Sequence, residues 1–232
     1  MRPSKKQVII LFGPPGAGKG TQAELLAEKF GLYYFETSKI LEREFKNPSE
    51  KIIEIEGEKF DVLKEKKLWE EGILCSPPFV AYLVGKNIKE LAEQGENLIL
   101  AGSPRTVYEG ERVTPLLKEL YGPENIKIFL IEISPKETIF RNSHRRICQL
   151  MRHPILYTKE TENLKICPLD GSKLIRRKGL DDPETIKIRL KEYKERTLPL
   201  LEIFEKEGIK VTKINGEQSV SDVFKDILKE IK

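Results

Sequence analysis

The chain has 232 residues, enough to bury a sizeable core as one domain with insertions. Its 41 basic residues against 37 acidic ones leave a formal charge of +4, too balanced to argue for nucleic acid, which needs clustered basic charge. No apolar run approaches membrane-spanning length, Met1-Arg-Pro-Ser-Lys-Lys carries no signal-peptide pattern, and Cys75, Cys148 and Cys167 form no disulfide framework; we expect a cytoplasmic protein without nucleic-acid or membrane partners.

The first element is the apolar run Val8-Ile-Ile-Leu-Phe12, of strand length. Directly after it comes Gly13-Pro-Pro-Gly-Ala-Gly-Lys-Gly-Thr21, which fits G-x-x-x-x-G-K with Gly13, Gly18 and Lys19 at the anchor positions. In such a loop the glycines let successive backbone N–H groups point inward around phosphate oxygens. The N-terminus of the following helix adds partial positive charge, and the lysine reaches the outer phosphates. A helix is expected next, with Ala23, Leu26, Ala27 and Phe30 on one face and Gly31 as its C-cap. Most loops of this kind have Ser or Thr straight after the lysine; here Gly20 intervenes before Thr21.

Further strand-length runs follow at 33–35, 98–101, 126–133 and 209–214, with helical patterns between them. Unalternating apolar strands separated by helices predict a parallel sheet covered on both faces. The last helix carries Val220, Val223, Phe224, Ile227 and Ile231 at helical spacing behind a Ser219 cap. Two segments read as insertions. Residues 37–95 are mostly helical, with a break at Cys75-Ser-Pro-Pro78; residues 148–180 show no sustained periodicity, a length that inside a compact domain is usually functional. In an open parallel sheet, ligands bind beyond the carboxyl ends of the strands. After the strands come, in turn, the glycine loop, Thr37-Ser38, Gly102-Ser-Pro-Arg-Thr106, a helix carrying Arg141 and Arg145 on one face, and Asn215-Gly216. Arginines opposite a phosphate loop suit a site holding more than one phosphorylated group, because the guanidinium fork pairs with phosphate oxygens.

The glycine loop with its Gly20, together with Gly102-Ser-Pro-Arg-Thr106, Arg141-Asn-Ser-His-Arg-Arg-Ile-Cys148, Asp181-Asp-Pro-Glu-Thr-Ile-Lys-Ile-Arg189 and Thr197-Leu-Pro-Leu200, resembles the adenylate kinase family of long-lid type over essentially the whole chain. The resemblance implies an α/β, three-layer P-loop fold with a parallel sheet of about five strands. The core would comprise 1–36, 96–147 and 181–232, with an acceptor-binding insertion at 37–95 and a lid at 148–180. It implies phosphoryl transfer from ATP with Mg2+ to a nucleoside monophosphate, AMP first, by a monomer whose partners are nucleotides. It assigns Gly16, Ala17, Gly18, Lys19, Gly20, Thr21, Arg141, Arg145, Gly216 and Gln218 to ATP. To the acceptor it assigns Thr37, Glu42, Cys75, Gly102, Arg105, Glu109, Arg177, Lys178 and Arg189, and to catalysis Lys19, Arg105, Arg145 and Arg189.

The chain departs from that family at telling places. Ala101 replaces an aspartate that organises magnesium, and offers no oxygen to a hard cation; magnesium would rely on phosphates, water and the Thr21 hydroxyl. Glu42 stands where the family has an arginine for the monophosphate, and Glu109 where a glutamine reads adenine. An ionised carboxylate accepts hydrogen bonds but cannot donate, so a guanine or cytosine acceptor, or nucleotide binding with weak or no turnover, stands as the alternative. Some family members hold Zn2+ in the lid between two Cys pairs. Here Cys148, Cys167 and Asp170 remain and His153 could supply a fourth ligand; the other reading is a degenerate knuckle whose cysteines pack.

Overall fold

The computed structural model describes residues 6–152, 154–177 and 181–231. In chain order its elements are β1 (Val8–Phe12), α1 (Lys19–Phe30), β2 (Tyr33–Glu36), α2 (Thr37–Lys46), β3 (Ile52–Ile55), β4 (Glu58–Asp61), α3 (Val62–Glu70), α4 (Pro77–Glu93), β5 (Leu98–Ala101) and α5 (Val107–Tyr121). There follow β6 (Ile126–Glu132), α6 (Pro135–His144), β7 (Arg146–Cys148), β8 (Pro154–Ile155), β9 (Leu174–Ile175), α7 (Pro183–Glu192), a π-helical turn (Tyr193–Thr197), α8 (Leu200–Lys206), β10 (Val211–Asn215) and α9 (Val220–Ile231).

The five expected strands form one parallel sheet in the order β10-β6-β1-β5-β2. Strand β1 lies at its centre, buried along its whole length. Its side chains alternate between two cores. Val8, Ile10 and Phe12 join a cluster with residues of α4, α5 and α8, while Ile9 and Leu11 join one with α1 and α9. Burial on both faces explains why these strands read as continuous apolar runs. Gly31 takes the left-handed backbone that ends α1, and Ser219 Oγ accepts the Asp222 N–H at the start of α9, both as the sequence pattern requires.

Within 37–95 the segment is not helical throughout. An antiparallel hairpin, β3–β4, follows α2, turning at Glu56 and Gly57, both with positive φ. A two-residue Glu-Gly turn of this kind suits the twist of a hairpin, and it is the signal that the helical reading passed over. In the second insertion, β7 pairs antiparallel with both β8 and β9, making a small three-stranded sheet of two- and three-residue strands. Strands that short leave no periodicity to read. A third difference concerns Arg145. The expectation that it shares a helical face with Arg141 fails, because α6 ends at His144 and Arg145 is already extended, leading into β7.

Gly110 shows how tightly the first core is filled. A Cβ there would lie 2.3 Å from Leu200 Cδ2, on a leucine with no exposed surface. Replacing it with alanine gains about 1 kcal/mol of helix propensity but wedges a methyl into a packed core at a cost of about 1–3 kcal/mol. We expect Gly110→Ala to lower the urea midpoint with an unchanged slope; a midpoint at or above the parent's would mean that α8 yields freely.

Candidate active site

The loop after β1 is shaped by glycines that no other residue could replace. Gly13, Gly16 and Gly18 all have positive φ. A Cβ on Gly13 would sit 2.4 Å from the Ile131 carbonyl oxygen, and one on Gly16 would sit 2.5 Å from Asn142 Nδ2. The loop is therefore seated directly on β6 and α6. Gly18 caps α1 without a side chain, so the first-turn amides face the loop's own concavity. Gly20, the residue that lengthens the motif, lies against Tyr34: a Cβ there would meet the hydroxyl at 3.3 Å.

Lys19 folds back over this loop, its Nζ donating to the carbonyls of Gly13 at 2.7 Å and Pro14 at 2.9 Å. Burial first, and then the positive fields of Arg105, Arg189 and Arg145, push its ammonium from the usual 10.5 down to about 7. Those three arginines come from the end of β5, from α7 and from the start of β7. Arg189 is itself lowered to about 9, by burial and then by Arg177, Arg145 and Arg105, with Asp181 acting in the opposite sense. Arg145 is lowered to about 10 by burial and Arg177, again opposed by Asp181. Arg177 holds that aspartate in a fork, Nε to Oδ2 at 2.9 Å and Nη2 to Oδ1 at 2.5 Å, and Asp181 is only 3% exposed. Five cations thus gather in one region, with Asp181 as the buried carboxylate paired to Arg177. Such a cluster suits multiply charged anions, whose oxygens pair with the guanidinium forks and offset the repulsion.

At the end of β5, Gly102 has φ +103 and its α-carbon lies under the Arg105 guanidinium, where a Cβ would approach Nη2 to 2.6 Å. Glu109 is turned inward rather than toward a ligand. Its Oε2 accepts the Arg105 N–H at 2.9 Å and its Oε1 the Thr106 hydroxyl at 2.9 Å, while Thr106 Oγ1 accepts the Glu109 N–H at 3.3 Å. This is a reciprocal cap on α5, and burial raises the Glu109 carboxyl above its ordinary range. The position expected beside the acceptor base thus carries a buried carboxylate whose two oxygens each accept a hydrogen bond from the protein. Nearby, the buried Cys75 thiol donates to the Glu65 carbonyl at 3.4 Å and is pushed up to about 12, by burial and then by Glu65, against the pull of Arg105. Thr37 is buried at the start of α2, its hydroxyl without a partner among the described residues. Glu42 is exposed on the same helix, and Arg43 reaches away to Asn87 Oδ1 at 2.7 Å.

The remaining expected positions fall at the other edge of the loop. Arg141 donates to Glu137 Oε1 at 2.6 Å and to the Gly216 carbonyl at 2.9 Å, joining α6 to the end of β10. Gln218 donates to Asn215 O at 2.9 Å and to Asp226 Oδ2 at 2.8 Å. In the small sheet, donor atoms of Cys148, Cys167 and Asp170 lie within 4.8 Å of one another, with Cys148 Sγ donating to Asp170 Oδ2 at 3.0 Å. Hydrogen bonds from Cys148 and Ser172 hold the Asp170 carboxyl well below its usual range. His153 and Lys178 lie outside the described residues. Sequence reasoning gave no role to Asn142 or Asp181. Asn142 is fully buried on α6 one turn after the equally buried Thr138, and two polar residues on the inward face of a short helix were the available signal.

Residues 11–209 match the family described as Adenylate kinase. The chain is 33% identical over 226 residues to an adenylate kinase of Caldicellulosiruptor saccharolyticus, covering 96% of this chain and 98% of that one. To an adenylate kinase of Acetivibrio thermocellus it is also 33% identical, over 95% of each chain. To one of Staphylococcus aureus it is 31% identical, over 95% of this chain and 96% of that one.

The displaced ammonium of Lys19 gives a direct test of the anion site. Because folding lowers its pKa, the unfolded chain binds more protons between about pH 7 and 10.5, and stability rises with pH across that window. A bound polyphosphate reverses the shift. Binding of inorganic tripolyphosphate at pH 8 should take up close to one proton, falling toward zero below about pH 6, and Lys19→Met should abolish the uptake. Calorimetry in two buffers of different ionisation enthalpy measures this; equal enthalpies in both would refute the assignment.

Proposed function

The chain belongs to the adenylate kinase family and is a nucleoside monophosphate kinase; from that premise we propose that Lys19, Arg105, Arg145 and Arg189 carry the transfer of the terminal phosphoryl group of ATP to AMP. The observation that supports this reading is that Lys19, folded over the loop onto the Gly13 and Pro14 carbonyls, is buried and lies within the positive fields of Arg105, Arg189 and Arg145 at the sheet edge. The loop amides from Gly16 to Thr21 and Lys19 take the triphosphate, with Arg141, Gly216 and Gln218 bordering the nucleoside. Arg105, packed over Gly102, takes the acceptor phosphate, with Thr37 and Cys75 in the acceptor pocket. Arg145 and Arg189 lie between the two and offset the charge on the phosphoryl group in flight. In this chemistry no covalent intermediate with the protein is needed. Alignment of donor and acceptor, charge neutralisation and exclusion of water supply the rate.

Magnesium accompanies ATP as a hard cation that neutralises phosphate charge. The chain's fitting donor beside the loop is the Thr21 hydroxyl, with phosphate oxygens and waters completing the shell, since Ala101 contributes none. For the lid, the ligand atoms of Cys148, Cys167 and Asp170 lie within 4.8 Å of one another, close enough to share one ion, and zinc there would pin β7 to the turn after residue 167. Its role would be structural. We place the enzyme in the cytoplasm as a monomer acting on free nucleotides.

Steady-state assays with MgATP against AMP, GMP, CMP, UMP and dTMP test the acceptor. We expect AMP-dependent ADP formation that falls by about a hundredfold or more in Lys19→Ala. Turnover confined to GMP or CMP would transfer the assignment to another base, and tight ATP binding with no turnover would make this a binding protein. Metal analysis of protein purified without chelator should find close to one zinc per chain, lost in Cys167→Ser; less than about a tenth of an equivalent would reduce the cluster to packed thiols.

A further inference from the structure

A pair of opposite charges, Glu192 and Arg196, is bonded to the backbone of the segment that joins α3 to α4. Glu192 ends α7 and Arg196 lies in the π-helical turn that follows, a form of helix often found beside functional sites. Glu192 Oε2 accepts from Arg196 Nη1 at 2.8 Å and from the backbone N–H of Leu74 at 3.3 Å. Arg196 Nη1 in turn reaches the Leu74 carbonyl at 3.4 Å. One peptide residue is thus held at both its donor and its acceptor by two side chains 118 and 122 positions away. An ordinary i,i+4 pair on an exposed helix face would hold nothing but itself.

Leu74 belongs to the strap that joins α3 to α4. Two residues before it, Gly72 adopts φ +79, and a Cβ there would lie 2.7 Å from Thr185 Cγ2 and 3.8 Å from Arg189 Cγ. The next residue is the buried Cys75, whose neighbour Ser76 donates its N–H to the buried Glu65 carboxylate at 2.7 Å. The positive field of Arg196 also reaches Glu109, the carboxylate that caps Arg105. Behind the pair, Tyr193 packs its ring 6.1 Å from that of Phe12, at the end of the central strand. The same turn of helix therefore touches the strap, the Arg105 corner and the strand that leads into the phosphate loop.

We propose that Glu192 and Arg196 are positioning residues that set the Gly72–Cys75 strap against Arg189 and Arg105, and so fix how tightly the nucleoside monophosphate is held. The inference rests on the acceptor-side reading given above. On that same reading MgATP occupies the glycine loop, which neither Glu192 nor Arg196 hydrogen-bonds, so its KM serves as the control.

The test is steady-state kinetics of the full-length enzyme with AMP and MgATP varied separately, in Arg196→Met, Glu192→Gln and the double variant. A charge-assisted hydrogen bond is worth about a tenfold change in an equilibrium, so the KM for AMP should rise about tenfold while that for MgATP stays within twofold. The double variant should be no worse than the worse single one, and Arg196→Lys should recover part of the loss. Hydrogen exchange of the Leu74 amide, read without nucleotide, should quicken in Glu192→Ala. Parallel rises in both KM values, or unchanged KM values with unchanged exchange, would overturn the proposal. Arg105→Met separates the two readings: an unaltered KM for AMP in that variant would sink the acceptor-site assignment, while Leu74 exchange would still decide the clamp.

Discussion

Everything at the sheet edge depends on the repulsion among Lys19, Arg105, Arg145, Arg177 and Arg189. Burying and gathering these charges opposes folding, and the lowered pKa of the lysine, due first to its burial and then to Arg105, Arg189 and Arg145, reflects both costs. The chain offsets it in part with Asp181, which lies in the Arg177 fork and favours the charged forms of Arg145 and Arg189. It does not neutralise the cluster. A site neutralised by its own carboxylates would have little left for phosphate, whereas one left strongly positive gains most when substrate enters. Holding such groups in place therefore falls to the surrounding frame, not to the groups themselves.

That frame is the parallel sheet. Strand β1 is hydrogen-bonded on both sides, to β5 and β6, and is buried on both faces, so the loop at its end starts from a firmly held strand. Gly13 against Ile131 and Gly16 against Asn142 transmit that rigidity into the loop through direct backbone approach. On the other side, Arg105 is held through its own N–H by Glu109, and the strap of residues 72–75 is held through Leu74. Order in the glycine loop comes from backbone packing. Order around Arg105 and Leu74 comes from carboxylates that hold peptide groups.

This difference governs what could be read from the sequence. The five strands, the loop, the caps at Gly31 and Ser219 and the convergence of Lys19 with Arg105 follow from local signals: apolar runs, glycine spacing and the rule that ligands collect at strand ends. The hairpin around Glu56-Gly57 was missed because two four-residue strands inside a charged, largely helical stretch carry little periodicity. Arg145 was placed on a helix because its spacing from Arg141 fits one. What ends α6 is the pairing of β7 with β8 and β9, partners that no local window contains. Glu192 and Arg196 are indistinguishable from a solvated ion pair until the fold brings Leu74 to them.

Glu109 carries the argument one step further. Measured against the family pattern, a carboxylate beside the acceptor arginine reads as an altered specificity or a repelled phosphate. In place, both oxygens are engaged by the Arg105 N–H and the Thr106 hydroxyl, and burial favours its neutral form. Its oxygens hold the loop that carries Arg105 through those two hydrogen bonds. A substitution that looks hostile to phosphate in one dimension can thus stabilise the phosphate-binding corner in three. Glu42 differs in kind: it is exposed on α2 and accepts no such hydrogen bonds among the described residues, so its charge is left to solvent and does not brace the fold.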